Sequence, residues 1–402
     1  MTQTSEAVSS FRSALSGIDA IALQAMLRAE PVWTDLVPAS EAIALPDKVV
    51  LHAGPPVGDT PSAPIRNSAA MAVLFEGWAE TEADAFRMID RGAVRLVPAQ
   101  DHAAVVPLAA VLTRSMLVQV VSDRHNANNR AVSPLNGGNG PAMRLGKAGA
   151  DVVRHLHWLN GEFAMLWRAL LKHPVPLLPI ANAALARGDD LHGRTMAATE
   201  ILAREQFGAA EPIPFLQQGP SFFLNLWMAA CQCMARAAVG IGSSSAVIAI
   251  GSNGNAFGLK IAGCSDRWFT ATAEPPSGNL EAGFSLDDRL GAIGDSAIVD
   301  AQGFGAMAMH CAPAQEKGLG PFMPASSRDL GRVVMSADDP RFPGFAIRSG
   351  LFARPVADGT ATPAISLGVL DRAGRSGRIG GGVYVTPRAP FVAARDALKT
   401  NN

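Results

Sequence analysis

Strand-like and helix-like segments alternate along the first third of the chain, and this order limits the folds that it can adopt. Residues 47–56, DKVVLHAGPP, have the pattern of a buried strand that ends in a Gly-Pro-Pro loop. Helical patterns follow in residues 68–94, with Thr81 as the expected N-cap and Gly92 as the expected stop. Residues 115–126, SMLVQVVSDRHN, again have the pattern of a strand that enters a polar loop. This order predicts α/β or α+β structure.

The middle of the chain changes to a helical pattern, and its end returns to mixed structure. Apolar residues recur at spacings of three and four from Val152 to Leu170, as on one face of a long helix. A buried helix, a hairpin turning at Asn253-Gly254 and several glycine-rich loops follow. At 402 residues the chain exceeds the usual size of one core. We therefore expect a multi-domain α+β or α/β fold with mixed sheets, consisting of an N-terminal α/β domain (1–147), a small helical insert domain (148–212) and a C-terminal α/β domain (213–402).

Charged side chains are scarce, at 17% of the residues, whereas about a quarter of an ordinary soluble protein is charged. With few charged residues, the chain has less polar surface to keep a monomer soluble, so we expect a homo-oligomer or a complex with other subunits. The formal net charge is −1 and no Lys/Arg block occurs, which argues against a nucleic-acid partner. The longest apolar stretch, residues 103–121, is broken by Pro107 and by polar residues, which argues against a membrane span.

The cysteines and the missing metal motifs limit the chemistry further. Cys231 and Cys233 lie two residues apart on an expected helix and face different ways, which makes them a poor metal chelate or disulfide. Buried reduced thiols suit the cytoplasm. The sequence has no HExxH, no CxxC, no aspartate-rich calcium loop and no GxSxG nucleophile elbow. We therefore predict a cytoplasmic chain without a metal or a cofactor.

The glycine-rich segment SPLNGGNGPAMRLG, residues 133–146, is a candidate anion site. Gly137, Gly138 and Gly140 free the backbone just before an expected helix. Backbone N–H groups at such a start, with the side chain of Asn136, favour a phosphate or a carboxylate. The segment is neither a dinucleotide fingerprint nor a Walker loop. The alternative is an ordinary Asn/Gly turn that caps a helix.

Three other polar segments contain candidate residues. Arg124 lies in SDRHNANNR, which follows a strand, and an exposed polar loop is the alternative there. His192 and Arg194 lie in DDLHGR, in the expected first turn of a helix, where two cations oppose the helix dipole unless an anion or acid faces them. His102 stands alone beside an apolar run, where a hydrogen-bonded core histidine is the alternative.

The segment DRWFTA places Asp266, Arg267 and Trp268 directly after an apolar strand. An arginine beside an aromatic ring is a common way to hold a small planar anion. The alternative is a structural Asp–Arg pair next to core aromatics. The segment GDSAIVD repeats the arrangement, with Asp295 as the acid in front of an expected strand.

Several motifs occur in the order that is typical of one family. Together they span about residues 15–390 and resemble the YlbE-like family, a long-standing domain of unknown function. The motifs are VLHAGPP (50–56), FEGWA (75–79), LNGGNG (135–140), DRWFTA (266–271) and IGDSAI followed by GFGAMAMHCAPA (293–314). Members of this family are similar to a subunit of oxamate carbamoyltransferase that is found with FdrA-type proteins in purine (allantoin) breakdown. The resemblance implies a multi-domain α+β architecture with a helical insert, and partner subunits of the FdrA type.

The resemblance also implies a reaction, in which oxalurate and phosphate interconvert with oxamate and carbamoyl phosphate. His192, Arg194 and His102 match functional positions of the family. Small planar anions need guanidinium groups and backbone N–H donors. We expect His192 or His102 to move a proton to the departing nitrogen, and Asp266 or Asp295 to orient that histidine or the amide. Substrate contacts are expected from Arg124, Arg194, Arg267, Trp268, Asn136, Gly137, Gly138 and Gly140.

Two other functions stay open. An amidohydrolase of a related ureide would use the same pocket with water in place of phosphate. A non-catalytic scaffold or ligand-sensing subunit would use the apolar content for a partner interface. Both enzyme hypotheses, the carbamoyltransferase and the amidohydrolase, require three segments to fold together into one cleft lined by positive charge. These segments are Asn136–Gly140, His192–Arg194 and Asp266–Trp268.

Overall fold

The structure of the chain is a computed structural model that describes residues 15, 17–58, 60–208, 215–216, 219 and 221–400. Helices pack on several small sheets in this part of the chain, which confirms the expected mixed α+β architecture. The expected boundary between the helical and C-terminal domains, at residues 212 and 213, lies outside the described residues. The division into three domains stays a prediction.

Helices and strands follow one another along the described chain. The first part contains α1 (Gly17–Arg28), β1 (Pro31–Pro38), α2 (Ala39–Ala42), β2 (Val49–His52), α3 (Ala63–Phe75), α4 (Glu82–Asp90), β3 (Arg95–Pro98), β4 (Val111–Leu112), β5 (Leu117–Asp123) and β6 (Asn126–Pro134). The middle contains α5 (Ala150–Trp158), α6 (Ala164–Leu170), β7 (Val175–Pro176), α7 (Leu177–Leu185), α8 (Met196–Phe207) and α9 (Phe222–Arg236). The last part contains β8 (Val247–Asn253), β9 (Ala256–Ile261), β10 (Cys264–Thr272), β11 (Ser277–Leu280), β12 (Ile293–Gly294), α10 (Ala297–Ala301), α11 (Pro313–Leu319), α12 (Ser327–Val334), β13 (Met335–Asp338), β14 (Arg348–Leu351), α13 (Ala353–Asp358), β15 (Ala364–Leu370), β16 (Arg378–Val385) and α14 (Ala389–Thr400).

The sheets of the described chain are small and mostly antiparallel. Their strand orders are β6-β5-β1-β7, β3-β2-β4, β10-β9-β8-β12, β11-β16-β15 and β13-β14. Among these strands only β2 and β3 pair in parallel, joined by a crossover through α3 and α4. The strand–helix–strand order in the sequence therefore produces one parallel unit, and consecutive strands produce the antiparallel pairs β5–β6, β8–β9, β9–β10, β13–β14 and β15–β16.

The helical stretch after residue 149 is interrupted by a π-helical turn. Leu159–Phe163 form this turn between α5 and α6. A π turn adds a residue to the helix and rotates every side chain that follows. Trp167 therefore points into the core with no exposed surface, whereas Leu166, which the sequence pattern placed on the buried face, is 42% exposed. The expectation of one uninterrupted apolar stripe was wrong from this turn onward.

Helix α9 lies at the centre of the largest core. Every residue from Asn225 to Ala235 is buried, and Trp227 packs edge-on against Phe304. Cys231 and Cys233 lie on this helix as buried, unbridged thiols, as expected. Burial raises the pKa of Cys233 to about 12, so that its thiol stays protonated at neutral pH. No helix of the described residues combines the length and the apolar character that crossing a membrane requires.

The segment GDSAIVD forms a buried helix rather than the expected strand. Its last residues make up α10, in which every residue is buried. Three consecutive apolar residues, Ala297–Val299, carry no periodicity that separates a strand from a buried helix, and here the helix forms. Asp295 lies just before α10 and Asp300 lies within it, so that one short element carries two buried carboxyl groups.

Gly54 allows the end of β2 to approach the end of β8 closely. Its φ is +76°, and a Cβ there would lie 2.7 Å from the backbone nitrogen of Asn253 and 2.8 Å from Cα of Ser252. Its N–H donates to Oδ1 of Asp295 at 2.9 Å. This contact connects the parallel unit to the sheet that carries β12.

We predict that Gly54→Ala lowers the free energy of unfolding much more than Gly77→Ala. Gly77 also has a positive φ (+69°), but no atom lies within 4 Å of its missing Cβ. Both variants bear the left-handed strain of about 1–2 kcal/mol, and only Gly54→Ala adds an overpacking cost, typically about 1–3 kcal/mol. Urea denaturation of the two variants measures the difference. Equal losses of stability would contradict the close approach.

Candidate active site

A buried histidine–aspartate pair joins two distant parts of the chain. Nδ1 of His192 lies 2.6 Å from Oδ2 of Asp300. The other oxygen of Asp300 accepts the backbone N–H groups of Ala306 at 2.8 Å and Ser366 at 3.2 Å. Because these donors orient the carboxylate, it holds the imidazole with a proton on Nδ1. His192 was expected as a proton carrier from the sequence, whereas Asp300 was not singled out.

The turn that presents His192 is built around Asp190. Oδ1 of Asp190 accepts the backbone N–H groups of His192 at 2.8 Å and Arg194 at 2.9 Å. Its carbonyl oxygen accepts the N–H of Gly305 at 2.7 Å. Leu191, between these groups, has a φ of +66°. Aspartate side chains commonly stabilise such turns by bonding to the backbone two residues on, and here the result fixes the position of the imidazole.

His192 and Arg194 precede the helix, which corrects the expectation that they lie in its first turn. Helix α8 begins at Met196. Oδ2 of Asp189 accepts the N–H of Ala198 at 2.9 Å, so an acidic side chain lies at the start of α8. A negative charge is favourable at this end of the helix dipole, whereas a positive charge is unfavourable. Nε of Arg194 lies 3.7 Å from Oδ1 of Asp189. The acids near the two cations are therefore Asp189 for Arg194 and Asp300 for His192.

Burial and charge act in opposite directions on the ionisable groups of this site. Burial alone disfavours the imidazolium of His192, but the charge and hydrogen bond of Asp300 and the charge of Asp190 outweigh it and raise the pKa of His192. Burial raises the pKa of Asp190 to about 6, although two backbone N–H groups oppose this effect. Burial also raises the pKa of Asp300, with His192 as the main opposing group. The site therefore retains a proton at neutral pH more readily than free side chains do.

The second ring nitrogen of His192 is the atom that can meet a substrate. No donor or acceptor in the described part of the chain bonds to Nε2, and the side chain is 5% exposed. Gly193, which is exposed, follows directly. A Cβ at Gly193 would collide with Nε2 of Gln315 and would lie 3.0 Å from Oγ of Ser366. Gln315 and Ser366 therefore place two polar groups beside Gly193.

Asp295 makes a structural contact and has no free oxygen that faces His192. Its Oδ1 accepts from the N–H of Gly54 at 2.9 Å and from Nε2 of Gln100 at 2.7 Å, while Oδ2 accepts the N–H of Val106 at 3.0 Å. Burial raises its pKa to about 7 despite these three donors. The expected catalytic role of Asp295 stays a prediction that these contacts do not favour.

The segment DRWFTA lies within strand β10 and is largely exposed. Asp266 and Arg267 are both exposed, and the guanidinium of Arg267 lies 4.9 Å from the centre of the Phe269 ring. Nε1 of Trp268 donates to Oδ1 of Asp101 at 3.0 Å, and Nζ of Lys260 donates to the same oxygen at 2.7 Å.

His102 ends the short 3-10 helix Ala99–His102, next to Asp101. Among the described residues, no hydrogen bond or ion pair connects the group of Trp268, Asp101 and Lys260 with the His192–Asp300 pair.

The loop that contains Asn136 is held by its own side chains. Nδ2 of Asn136 donates to the carbonyl oxygen of Ser221 at 2.9 Å and to Oδ1 of Asn225 at 3.0 Å. Its Oδ1 accepts the N–H of Gly138 at 2.9 Å. The carbonyl oxygen of Gly137 lies 2.7 Å from Nε2 of His155. The expected helix after the loop is reduced to the 3-10 turn Met143–Leu145, and no atom lies within 4 Å of the missing Cβ of Gly140.

Arg124 lies at the turn between β5 and β6. Its side chain is 53% exposed, and its Nη1 lies 3.4 Å from Oε2 of Glu30. It lines an open groove of about 740 Å³ together with Arg130, Asp35 and Glu41. The groove is lined by both acidic and basic side chains. This mixture agrees with the alternative interpretation of the Arg124 segment, an exposed polar loop.

No hydrogen bond or ion pair of the described residues connects the three segments that were expected to converge. Asn136–Gly140 contact α9, Asp266–Trp268 contact Asp101 and Lys260, and His192 contacts Asp300. The expected single cleft is not formed by direct contacts among them. Within the described residues, no group of three or more His, Cys, Asp and Glu side chains is arranged to hold a metal ion.

The comparisons with known proteins identify the family. Residues 94–296 match the family described as oxamate carbamoyltransferase subunit AllG. Over 409 residues the chain is 32% identical to the oxamate carbamoyltransferase subunit AllG of Escherichia coli K12, covering 94% of this chain and 96% of that protein. The chain belongs to the AllG family. This membership confirms the resemblance to a subunit of oxamate carbamoyltransferase.

Two further relatives carry no functional name. The uncharacterized protein YahG of Escherichia coli K12 is 26% identical over 395 residues, covering 93% of this chain and 84% of that protein. A crystal structure of a conserved protein of unknown function from Enterococcus faecalis V583 superposes with a TM-score of 0.87 at 25% identity, over 95% of this chain and 97% of that one. The fold of this AllG family member is therefore also that of a solved structure.

We predict that Asp300→Asn lowers the pKa of His192 below that of a free histidine. The variant removes the carboxylate charge that raises this pKa and leaves burial, which lowers it. The introduced amide retains an oxygen for the N–H groups of Ala306 and Ser366. A titration of the imidazole signals by NMR measures the change, with exposed His157 as the internal reference. A His192 pKa that does not fall in Asp300→Asn would contradict the assigned charge balance.

Proposed function

We propose that this chain is the carbamoyl-transferring subunit, or a part of it, in an oxamate carbamoyltransferase complex. In the proposed reaction, oxalurate and phosphate interconvert with oxamate and carbamoyl phosphate. Membership of the AllG family supports the reaction class. The observation that carries the proposal is the His192–Asp300 pair, which leaves one ring nitrogen without a partner at the edge of an otherwise buried group.

The reaction needs a proton donor for its leaving group. A phosphate oxygen attacks the ureido carbonyl carbon of oxalurate, the bond from this carbon to the oxamate nitrogen breaks, and carbamoyl phosphate forms. The departing amide nitrogen is a very poor leaving group unless it is protonated as the bond breaks. The phosphate hydroxyl loses a proton in the same process, so that one group can accept this proton and deliver it to nitrogen. General acid–base catalysis of this kind contributes typically about 10²–10⁴-fold.

Nε2 of His192 has the required properties for that transfer. Asp300 keeps the proton on Nδ1 and stabilises the imidazolium that forms when Nε2 accepts a second proton. Burial lowers the pKa of His192, but Asp300 and Asp190 outweigh burial and raise it, which favours uptake of this second proton. The amide of Gln315 and the hydroxyl of Ser366, which flank Gly193, can hydrogen-bond a planar amide or ureide beside the imidazole.

Arg194 is the candidate cation for the oxamate carboxylate. Its backbone is fixed by Asp190 and its side chain is partly exposed, only 3.7 Å from Asp189. His102, Arg124, Arg267 and Asp266 lie outside this group of contacts, so their roles stay predictions for which the site geometry gives no support. We also propose that partner subunits complete the assembly, since the E. coli relative is named as a subunit.

We predict that His192→Asn lowers the rate of carbamoyl transfer by about 10²–10⁴-fold. Asparagine can still donate to Asp300 but cannot carry a proton to the leaving nitrogen. The assay supplies carbamoyl phosphate and oxamate and measures ureide formation and phosphate release. It uses the full chain, both by itself and in the complex that it forms in its own cells.

His157→Gln is the matched control, because His157 is an exposed histidine whose ring contact is with Phe75. This variant is expected to retain full activity. Full activity of folded His192→Asn in the complex would contradict a catalytic role and favour the scaffold function. Ammonia release from oxalurate without phosphate, abolished by His192→Asn, would assign hydrolysis instead.

A further inference from the structure

The loop that follows Gly138 and the β15–β16 hairpin, each of which carries an arginine, pack against each other. Nδ2 of Asn67 donates to the carbonyl oxygens of Gly146 at 2.9 Å and Gly374 at 3.0 Å, and so fastens the loop to the β15–β16 hairpin. A Cβ at Gly377 would lie 3.3 Å from Cβ of Leu145 and 3.2 Å from Cδ of Lys147. Arg144 and Arg378 are the chain neighbours of these touching residues.

Arg144 has neutral partners in the described part of the chain and no carboxylate. Its Nε donates to the carbonyl oxygen of Gly138 at 3.1 Å, and its Nη2 donates to Oδ1 of Asn139 at 3.0 Å. Burial and the nearby charge of Arg378 lower the pKa of Arg144 to about 10. Two guanidinium groups that repel each other in a half-buried place are stable together when an anion lies between them.

The loop under Arg144 is preorganised. Asn136 bonds to the N–H of Gly138, and His155 bonds to the carbonyl oxygen of Gly137, so the backbone that orients the guanidinium is itself held in place. Arg144, Gly137 and His155 line a common small cavity. An oriented guanidinium loses little entropy when it binds an oxyanion, which favours bidentate recognition.

Strand β15 is approached both by Arg378 and by the turn that contains His192. Cδ of Arg378 lies 3.5 Å from the position of a Cβ at Gly368, whereas Oγ of Ser366 lies beside Gly193. Side chains two residues apart on a strand point to the same face, roughly 7 Å from each other. The positions on β15 that Arg378 and the turn containing His192 approach are therefore neighbours on one face of this strand.

We propose that Arg144 and Arg378 form the phosphate subsite of this chain. The proposal rests on the proposed function and specifies where its phosphate, or the phosphoryl group of carbamoyl phosphate, binds. Two guanidinium charges match the dianionic form of phosphate, with the exposed Lys147 nearby. The ion pair of Arg378 with Glu281, at 3.2 Å, is more than half exposed on both sides, so that a dianion can compete for Arg378.

Calorimetric titration of the full chain with inorganic phosphate tests the subsite without any turnover. We expect Arg144→Gln and Arg378→Gln each to weaken phosphate binding roughly 10–100-fold, since each removes charge-assisted hydrogen bonds. Arg332→Gln is the matched control, because Arg332 is 68% exposed and pairs with Asp329 of its own helix. It should bind phosphate as the unaltered chain does.

The same titration distinguishes failure of the subsite from failure of the proposed function. Unchanged phosphate affinity in both variants, or no phosphate binding by the unaltered chain at millimolar concentrations, overturns the subsite. If Arg144→Gln fails to fold, Arg378→Gln decides, since Arg378 is exposed. Titration with oxamate is the second arm: if these variants weaken oxamate and not phosphate, the site binds a carboxylate and the assignment is overturned. His192→Asn should still bind phosphate, even where it loses transfer activity.

Discussion

Two buried carboxyl groups, one just before α10 and one within it, connect the parts of this chain. Asp295, before α10, accepts N–H groups from the parallel unit at Gly54 and Val106. Asp300, within α10, accepts N–H groups from Ala306 and Ser366 and holds His192. Burying a charged group is costly unless hydrogen bonds replace its hydration, and here backbone donors do so for both carboxyl groups. These donors come from segments far apart in the sequence, so the correct packing of α10 and the geometry of the site depend on each other.

The sequence predicted the elements more successfully than it predicted their contacts. The helix with Cys231 and Cys233, the hairpin at Asn253 and the N-cap at Thr81 follow local rules, and the structure contains all of them. The prediction of a strand in GDSAIVD was wrong, because a three-residue apolar run fits a strand and a buried helix equally well. Local sequence patterns also contain no information on contacts between distant residues. Asp300, 108 residues from His192, was therefore not recognised as its partner.

In the candidate site, too, local sequence features were predicted better than contacts between distant residues. His192 was identified because two cations at a helix start created a local electrostatic conflict, and that conflict is resolved nearby by Asp189 and Asp190. The arginine and the aromatic residues of DRWFTA indicated an anion site. Composition does not reveal which face of a strand is covered, however, and Arg267 is exposed. Arg144 was present in the quoted glycine-rich segment and escaped notice because its neighbour in space, Arg378, is supplied by a hairpin more than 200 residues later.

The two ends of the proposed site have opposite electrostatic character, which suits a transfer between two anions. At one end, Asp190 and Asp300 add negative charge around His192 and favour retention of a proton. At the other end, Arg144 and Arg378 add positive charge that favours a dianion. Strand β15 connects the two groups, since Arg378 approaches it at Gly368 and the turn containing His192 approaches it at Ser366. Had the carboxylates been placed beside the arginines, the charges would neutralise each other, and neither the proton nor the phosphate would be held.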